Sequence, residues 1–156
     1  MNRLITRLID LFSRFPYSLL ALLSRFAIGL VFWRSGQTKL DGYEVCIPSL
    51  SCFKANPFSL GENTFVLFEQ EYHVPLLPTW LAAHGASLVE FMLPILLFLG
   101  LGTRFAALGL LGMTLVIQVF VYPGAYGLHA TWAAILITLI KFGPGKIALD
   151  HLFWRR

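Results

Sequence analysis

Four long apolar runs, separated by short breaks of glycine, proline and charge, constrain this chain more than any other feature. They lie at about Tyr17 to Gly36, Leu81 to Gly100, Phe105 to Val121 and Ala125 to Phe142. Each approaches the roughly 20 residues that a helix needs to cross a hydrocarbon core about 30 Å thick. Backbone N–H and C=O groups find no water at that depth, so the runs must be helices rather than open strands. With 57% hydrophobic and 13% charged residues among 156, the chain lacks the polar surface of a water-soluble domain. The expected fold is an all-α membrane protein: an antiparallel bundle of four transmembrane helices in one domain over residues 1–156. No internal repeat or low-complexity linker divides it.

The formal net charge is +4, but the basic residues stand in ones and twos beside the apolar runs, not in the stripe that nucleic acid requires. Arg3, Arg7, Arg14, Arg104, Lys141, Lys146, Arg155 and Arg156 would share one side of the bilayer, leaving Lys39 and Lys54 opposite. The excess of Lys and Arg makes the first side cytoplasmic, with both termini, and sends the loop over 37–79 outward. In a Gram-negative bacterium that is a multi-pass protein of the inner membrane with a periplasmic loop. Asp10, Arg14 and Pro16 interrupt the first hydrophobic stretch, so it lacks the form of a cleaved signal peptide and is expected to be retained. Leu4, Leu8, Leu11 and Phe15 recur at helical spacing opposite Arg3, Arg7, Asp10 and Arg14, which predicts an interfacial helix over 1–16. A second interfacial piece is expected after Pro144, through Ile147, Leu152, Phe153 and Trp154.

Charges inside the spans define two polar layers. Arg25 lies in the first span and Glu90 in the second, each about nine residues from its cytoplasmic end, so at about 1.5 Å per residue they share a depth, which predicts an ion pair. Arg25, Gly29, Phe32 and Gly36 follow spacings of four, three and four, a face where glycine permits close helix approach. Nearer the outer surface lie Arg34, Lys39, His84, His129 and Trp132. Their donors suit the carbonyls of a quinone headgroup whose tail lies in lipid, and the bland alternative is hydrogen bonding across the bundle with Arg34 snorkelling outward. Two histidines without a supporting pattern argue little for haem. Gln118 adds a donor at the same depth, and Gly100 to Thr103 join the second and third spans in a tight hairpin. Gly102, Ala106, Gly109 and Gly112 form a small-residue packing face.

In the outer loop Cys46 and Cys52 bracket Pro48, and an oxidising compartment would let them form a disulfide. It is read as a staple, with a redox-active pair and a copper site involving His73 as the alternatives. The stretch Phe65 to Phe68, followed by Glu69 to Tyr72, predicts a short amphipathic element that roofs the bundle. No phosphate-binding glycine loop, zinc quartet or nucleophile with its base is present, so the metal-site expectation is none and any catalysis must use membrane-embedded groups or a partner.

Three blocks resemble the DoxX family of small bacterial membrane proteins. RFAIGLVFWRSGQTKLD, from Arg25 to Asp41, is similar to its opening motif through Arg25, Gly29, Gly36 and Lys39. VEFMLPILLFLGLGTRFAALGLLGM is similar to its central hairpin through Glu90, Gly100, Thr103 and Arg104. GPGKIALD, with His129 and Trp132 upstream, is similar to its closing block. The resemblance implies a four-helix membrane bundle associated with redox proteins, including subunits of thiosulfate:quinone oxidoreductases and complexes that manage thiol or oxidative stress. It carries no role onto Cys46 or Cys52, which lie outside the three blocks. The functional expectation is a quinone-linked redox accessory subunit working with a protein partner. The alternatives are a noncatalytic scaffold in stress, thiol or metal handling, or small-solute transport, which would need a homo-oligomer.

Overall fold

The computed structural model describes residues 5, 9–10, 12–42, 44–47, 51–72 and 77–153. Its frame is four apolar helices: α1 (Tyr17–Lys39), α3 (Thr79–Leu99), α4 (Thr103–Val116) and α5 (Tyr126–Phe142). A shorter helix, α2 (Glu62–Gln70), lies in the long loop, and α6 (Leu149–Phe153) closes the chain. α1, α3 and α4 with its continuation are long and apolar enough to cross a membrane, whereas α5 has 17 residues. At 1.5 Å per residue α5 reaches about 25 Å, the short end of the spanning range.

Local chemistry sets most boundaries. Pro16 and Pro78 precede α1 and α3, where a missing N–H and a preset φ cost nothing. α3 ends on Gly100, whose φ of 68° closes the helix as Leu101 N–H donates to Leu96 O. Gly102, at φ 56°, opens α4, so the expected hairpin turns within three residues. α4 continues as a π-helix, Ile117–Val121, sealed by Tyr122 N–H to Ile117 O at 2.8 Å and stopped by Pro123 and Gly124. Gly143, at φ 80°, and Pro144 end α5.

The interior holds Ala21, Ile28 and Phe32 of α1, Leu97 of α3, Ala106, Ala107 and Leu110 of α4, and Leu136 and Leu139 of α5. The outward faces of the helices are apolar too: Leu19, Leu23, Phe26 and Leu30 stand exposed along one face of α1, and Phe105, Leu108 and Leu115 along α4. In water such faces would aggregate, whereas in a bilayer they meet acyl chains. The chain is an all-α membrane protein, with one minor addition. Residues Glu44–Ile47 (β1) and Ser51–Lys54 (β2) form an antiparallel hairpin in the long loop.

α1 packs most extensively on α3. A Cβ on Gly36 would come 3.1 Å from the carbonyl oxygen of Glu90, so glycine is what lets the two backbones meet. Pro94 lies inside α3 and supplies no N–H to that same carbonyl four residues earlier, leaving it free to lie against Gly36.

The end carrying both termini is tied together by the segment after α5. Tyr17 donates to Gly143 O at 2.6 Å, Lys146 N–H to Ser18 Oγ at 3.0 Å, and Asp150 N–H to Gly100 O at 2.8 Å. The carboxylate of Asp150 accepts from the N–H groups of Gly102 and Thr103 at 2.6 and 2.9 Å, capping α4 from 47 residues away. The closing segment, expected as an interfacial piece, is therefore a structural clasp. Half of the interfacial helix expected over 1–16 falls outside the described residues, and 5, 9, 10, 12 and 13 are helical. Trp154, Arg155 and Arg156 also lie outside them.

Candidate functional site

Toward the loop end the α3–α4 pair, joined at Gly100–Gly102, is separated by a cavity of about 630 Å³. Small residues create the space: Ala82, Gly85 and Ala86 line its α3 side, and nothing stands within 4 Å of where a Gly85 Cβ would be. Exposed Leu81, Val116 and Leu128 lie at its margins, where an acyl or isoprenoid tail would meet lipid. Phe68 of α2 and Tyr72 cover the loop side, and Tyr72 and Tyr122 meet with ring centroids 6.0 Å apart and hydroxyls 3.3 Å apart. The expected roofing element is thus α2, packed on α3.

Two polar groups reach into this apolar chamber. The first is Lys39, whose ammonium lies 2.6 Å from Glu90 Oε2 and 3.0 Å from Ser35 Oγ. Both side chains are nearly inaccessible, at 8% and 3%. The last carbonyls of α1 are satisfied by the loop: Lys39 O accepts from Thr64 Oγ1 at 2.8 Å and Gly61 N at 3.2 Å, and Leu40 O from Lys54 Nζ at 2.7 Å.

The second is His129, buried on α5, with its ring 5.0 Å from Trp132, which in turn stacks 5.4 Å from Phe32. His129 Nδ1 lies 2.7 Å from Gln118 Oε1, and Gln118 Nε2 donates to Pro123 O at 2.7 Å. Because the amide nitrogen is spent on a carbonyl, its oxygen must accept, so Nδ1 is the donor, and in the neutral ring Nε2 is the acceptor. The π-turn supplies Gln118 to this contact, in keeping with the tendency of such turns to occur at functional sites.

The expected Arg25–Glu90 ion pair is absent. Its premise is that the start of α1 and the end of α3 lie in one plane, and they do not. Gly36, not Arg25, lies level with Glu90, and Arg25 packs beside Gly100, where a Cβ would collide with its Nη1. Eleven residues separate Arg25 from Gly36, about 16 Å along a helix. Arg25 donates from Nη2 to Ile147 O, and its Nε and Nη1 have no hydrogen-bond partner among the described residues. α1 also runs one turn past the predicted end at Gly36, carrying Lys39 into the bundle to take the place assigned to Arg25.

Of the five outer-layer residues, Lys39, His129 and Trp132 line the cavity. Arg34 is exposed, and His84 hydrogen-bonds Trp80 O at 2.8 Å and stacks near Phe65, away from the lining. Ser35, Tyr72 and Tyr122 join the site although sequence reasoning passed over them. Ser35 had a legible signal, one turn before Lys39 on the same helical face.

Cys46 and Cys52 are directly opposed in the hairpin and joined as a disulfide. The hairpin is held to α1 through β2, where Gln37 accepts from Lys54 N at 2.6 Å and donates to Lys54 O at 3.2 Å, and by Trp33 stacked on Phe53. Glu44 stands near both sulfurs, but oxidised sulfur is not the thiolate a soft metal takes. His73, the third group of the copper alternative, lies outside the described residues.

No solved structure matches the chain. An uncharacterized protein of Haemophilus influenzae is 32% identical over 105 residues, covering 59% of this chain and 68% of the relative. The DoxX family model matches residues 20–123, a stretch that contains Arg25, Lys39, Glu90 and Gln118 and stops before His129, Trp132 and Asp150. The chain belongs to the DoxX family.

Proposed function

We propose that this DoxX protein binds a quinone in the cavity between α3 and α4 and serves as a redox accessory subunit to a protein partner that supplies the electrons. The observation that carries the reading is a chamber of about 630 Å³, walled by apolar and small residues, with a buried Lys39–Glu90 pair and a buried His129 in its lining. An isoprenoid tail suits the walls, and a carbonyl headgroup suits a cationic donor. In its neutral form His129 would offer Nε2 as an acceptor for the hydroxyl of the reduced quinone. Reduction of the quinone takes two electrons from the partner and two protons, and the chain's own residues hold the headgroup and keep the charges near it paired.

The reading places the protein in a bacterial inner membrane with both termini in the cytoplasm. The distribution of Lys and Arg supports that orientation, and the Cys46–Cys52 disulfide accords with an oxidising space around the loop.

The test is mass spectrometry of lipids retained by the protein in mild detergent, with an absorption spectrum of the same sample. About one quinone per chain is expected, falling at least tenfold in Lys39→Met or His129→Ala and unchanged in Arg34→Ala or His84→Ala. Wild-type protein that carries no quinone, and binds none on reconstitution, would overturn the reading.

A noncatalytic scaffold is the second reading, favoured by the completeness of the Lys39–Glu90–Ser35 cluster, which needs no ligand to satisfy its charges. It predicts that Lys39→Gln/Glu90→Gln retains cellular function. Loss of function in that folded double variant would exclude it.

A further inference from the structure

A second hollow, of about 610 Å³, lies at the end of the molecule that carries the termini, between the start of α4, the end of α5 and the closing segment. We infer that it binds the phosphodiester headgroup of an anionic phospholipid. The central group is Arg104. Its Nε and Nη2 lie 3.4 and 3.5 Å from where a Cβ on Gly143 would stand, so the guanidinium extends across the backbone of the α5 terminus. It is exposed and makes no hydrogen bond or ion pair with another described residue. Glycine at 143 leaves room for that crossing, and at a φ of 80° the position favours it for backbone reasons too.

Charge and surface chemistry around the hollow select the ligand. Asp150 is the acid in the lining, and both its oxygens are engaged by the N–H groups that open α4. Lys141 and Lys146 are the chain neighbours of the lining residues Phe142 and Gly145, and Lys141 Nζ lies 5.1 Å from the Phe142 ring centroid, so the basic residues beside the hollow outnumber its one committed carboxylate. A guanidinium fork matches two oxygens of a phosphate, which the ammonium groups reinforce by charge. Phe105 and Phe142, 82% and 58% exposed, form apolar walls beside it, where water would be poorly accommodated and acyl chains well. The site lies where two apolar helices end, the depth of a headgroup, and basic pockets at such ends are suited to acidic lipids. It depends on the helices crossing a bilayer and not on what occupies the cavity at the opposite end.

The experiment uses the full chain in neutral detergent with three probes: phosphatidylglycerol, phosphatidylcholine and inorganic phosphate, read by thermal unfolding and native mass spectrometry. Phosphatidylglycerol should raise the melting temperature and remain bound at about one per chain, while the other two do neither. Arg104→Gln should weaken that retention about tenfold, the loss of one charge-assisted hydrogen bond. Arg34→Gln, at the other end of α1, should leave it intact. Undiminished retention in Arg104→Gln, or equal binding of phosphatidylcholine, would overturn the inference. Stabilisation by inorganic phosphate equal to that by the lipid would assign the hollow to a free anion instead. Should Arg104→Gln fail to fold, Lys141→Gln/Lys146→Gln decides: a several-fold weaker retention supports the site and full retention refutes it.

Discussion

At the scale of single residues, the molecule is organised by a few polar groups that cannot be left alone in an apolar interior. Lys39 and Glu90 meet there at 2.6 Å, each the other's ion-pair partner. Removing one partner strands the other, a change that costs about 3–5 kcal/mol, whereas replacing both by apolar groups of similar volume is often near neutral. Glu90→Ala should therefore unfold at a much lower temperature than wild type, and Lys39→Met/Glu90→Leu should recover most of the loss. A double variant as unstable as the single one would show that the pair is not the unit. Tyr72, in the roof of the cavity, gives a pH signature. Burial first, and then the hydrogen bond with Tyr122, push its phenol above the ordinary range. The folded protein thus favours the neutral form. The stabilisation it provides is complete below the unfolded value of about 10 and is lost as pH rises beyond it toward the raised folded value. Alkaline titration followed by phenolate absorbance should show one late tyrosine that disappears in Tyr72→Phe.

At the scale of elements, the helices are fastened at their ends as much as along their lengths. The first turn of α4 has no cap of its own, since Gly102 carries no side chain, and Asp150 fills that role from the closing segment. Asp150→Ala should cost about 0.5–2 kcal/mol, the usual worth of an N-cap, and Asp150→Asn, which keeps one acceptor oxygen, should cost less. Comparing thermal unfolding of the two variants checks this, and equal losses would mean that the carboxylate charge outweighs the cap. The same segment explains why the depth estimate for Arg25 failed. The first two turns of α1 overhang the α3–α4 turn and are covered by residues from Gly143 on, so counting from the start of the first apolar run and the end of the second aligns the wrong residues. By contrast the hairpin at Gly100–Gly102 was legible, because a glycine in the left-handed region on either side of one residue is a local signal.

At the scale of the whole molecule, the loop hairpin and the helical bundle are distinct in stability. The disulfide closes a loop of about seven residues and by chain entropy stabilises that hairpin by about 2–3 kcal/mol, while the bundle depends on helix packing and lipid. Reduction should speed hydrogen exchange over 44–54 and leave α3, α4 and α5 protected. Exchange that rises throughout would show the hairpin to be integral to the fold. The cavity also belongs to this scale, since its lining comes from α1, α2, α3, α4 and α5 together.

Apolar length, proline and glycine breaks and the spacing of basic residues are properties of consecutive residues. The chain therefore announces its helices, its single-turn hairpin and its membrane character without reference to any contact. The opposed cysteines and the polar residues of the loop half were visible for the same reason. How far each helix slides along its neighbour is different. That offset follows from Gly36 meeting the Glu90 carbonyl and from the closing segment wrapped under α1, contacts between residues far apart in the chain. The offset pairs Lys39 with Glu90, sends Arg25 to Ile147, and separates Arg34 and His84 from the cavity that Lys39, His129 and Trp132 share. Side-chain chemistry is carried by the residue, but depth in a bundle is set by the packing of whole helices, and only the folded chain fixes it.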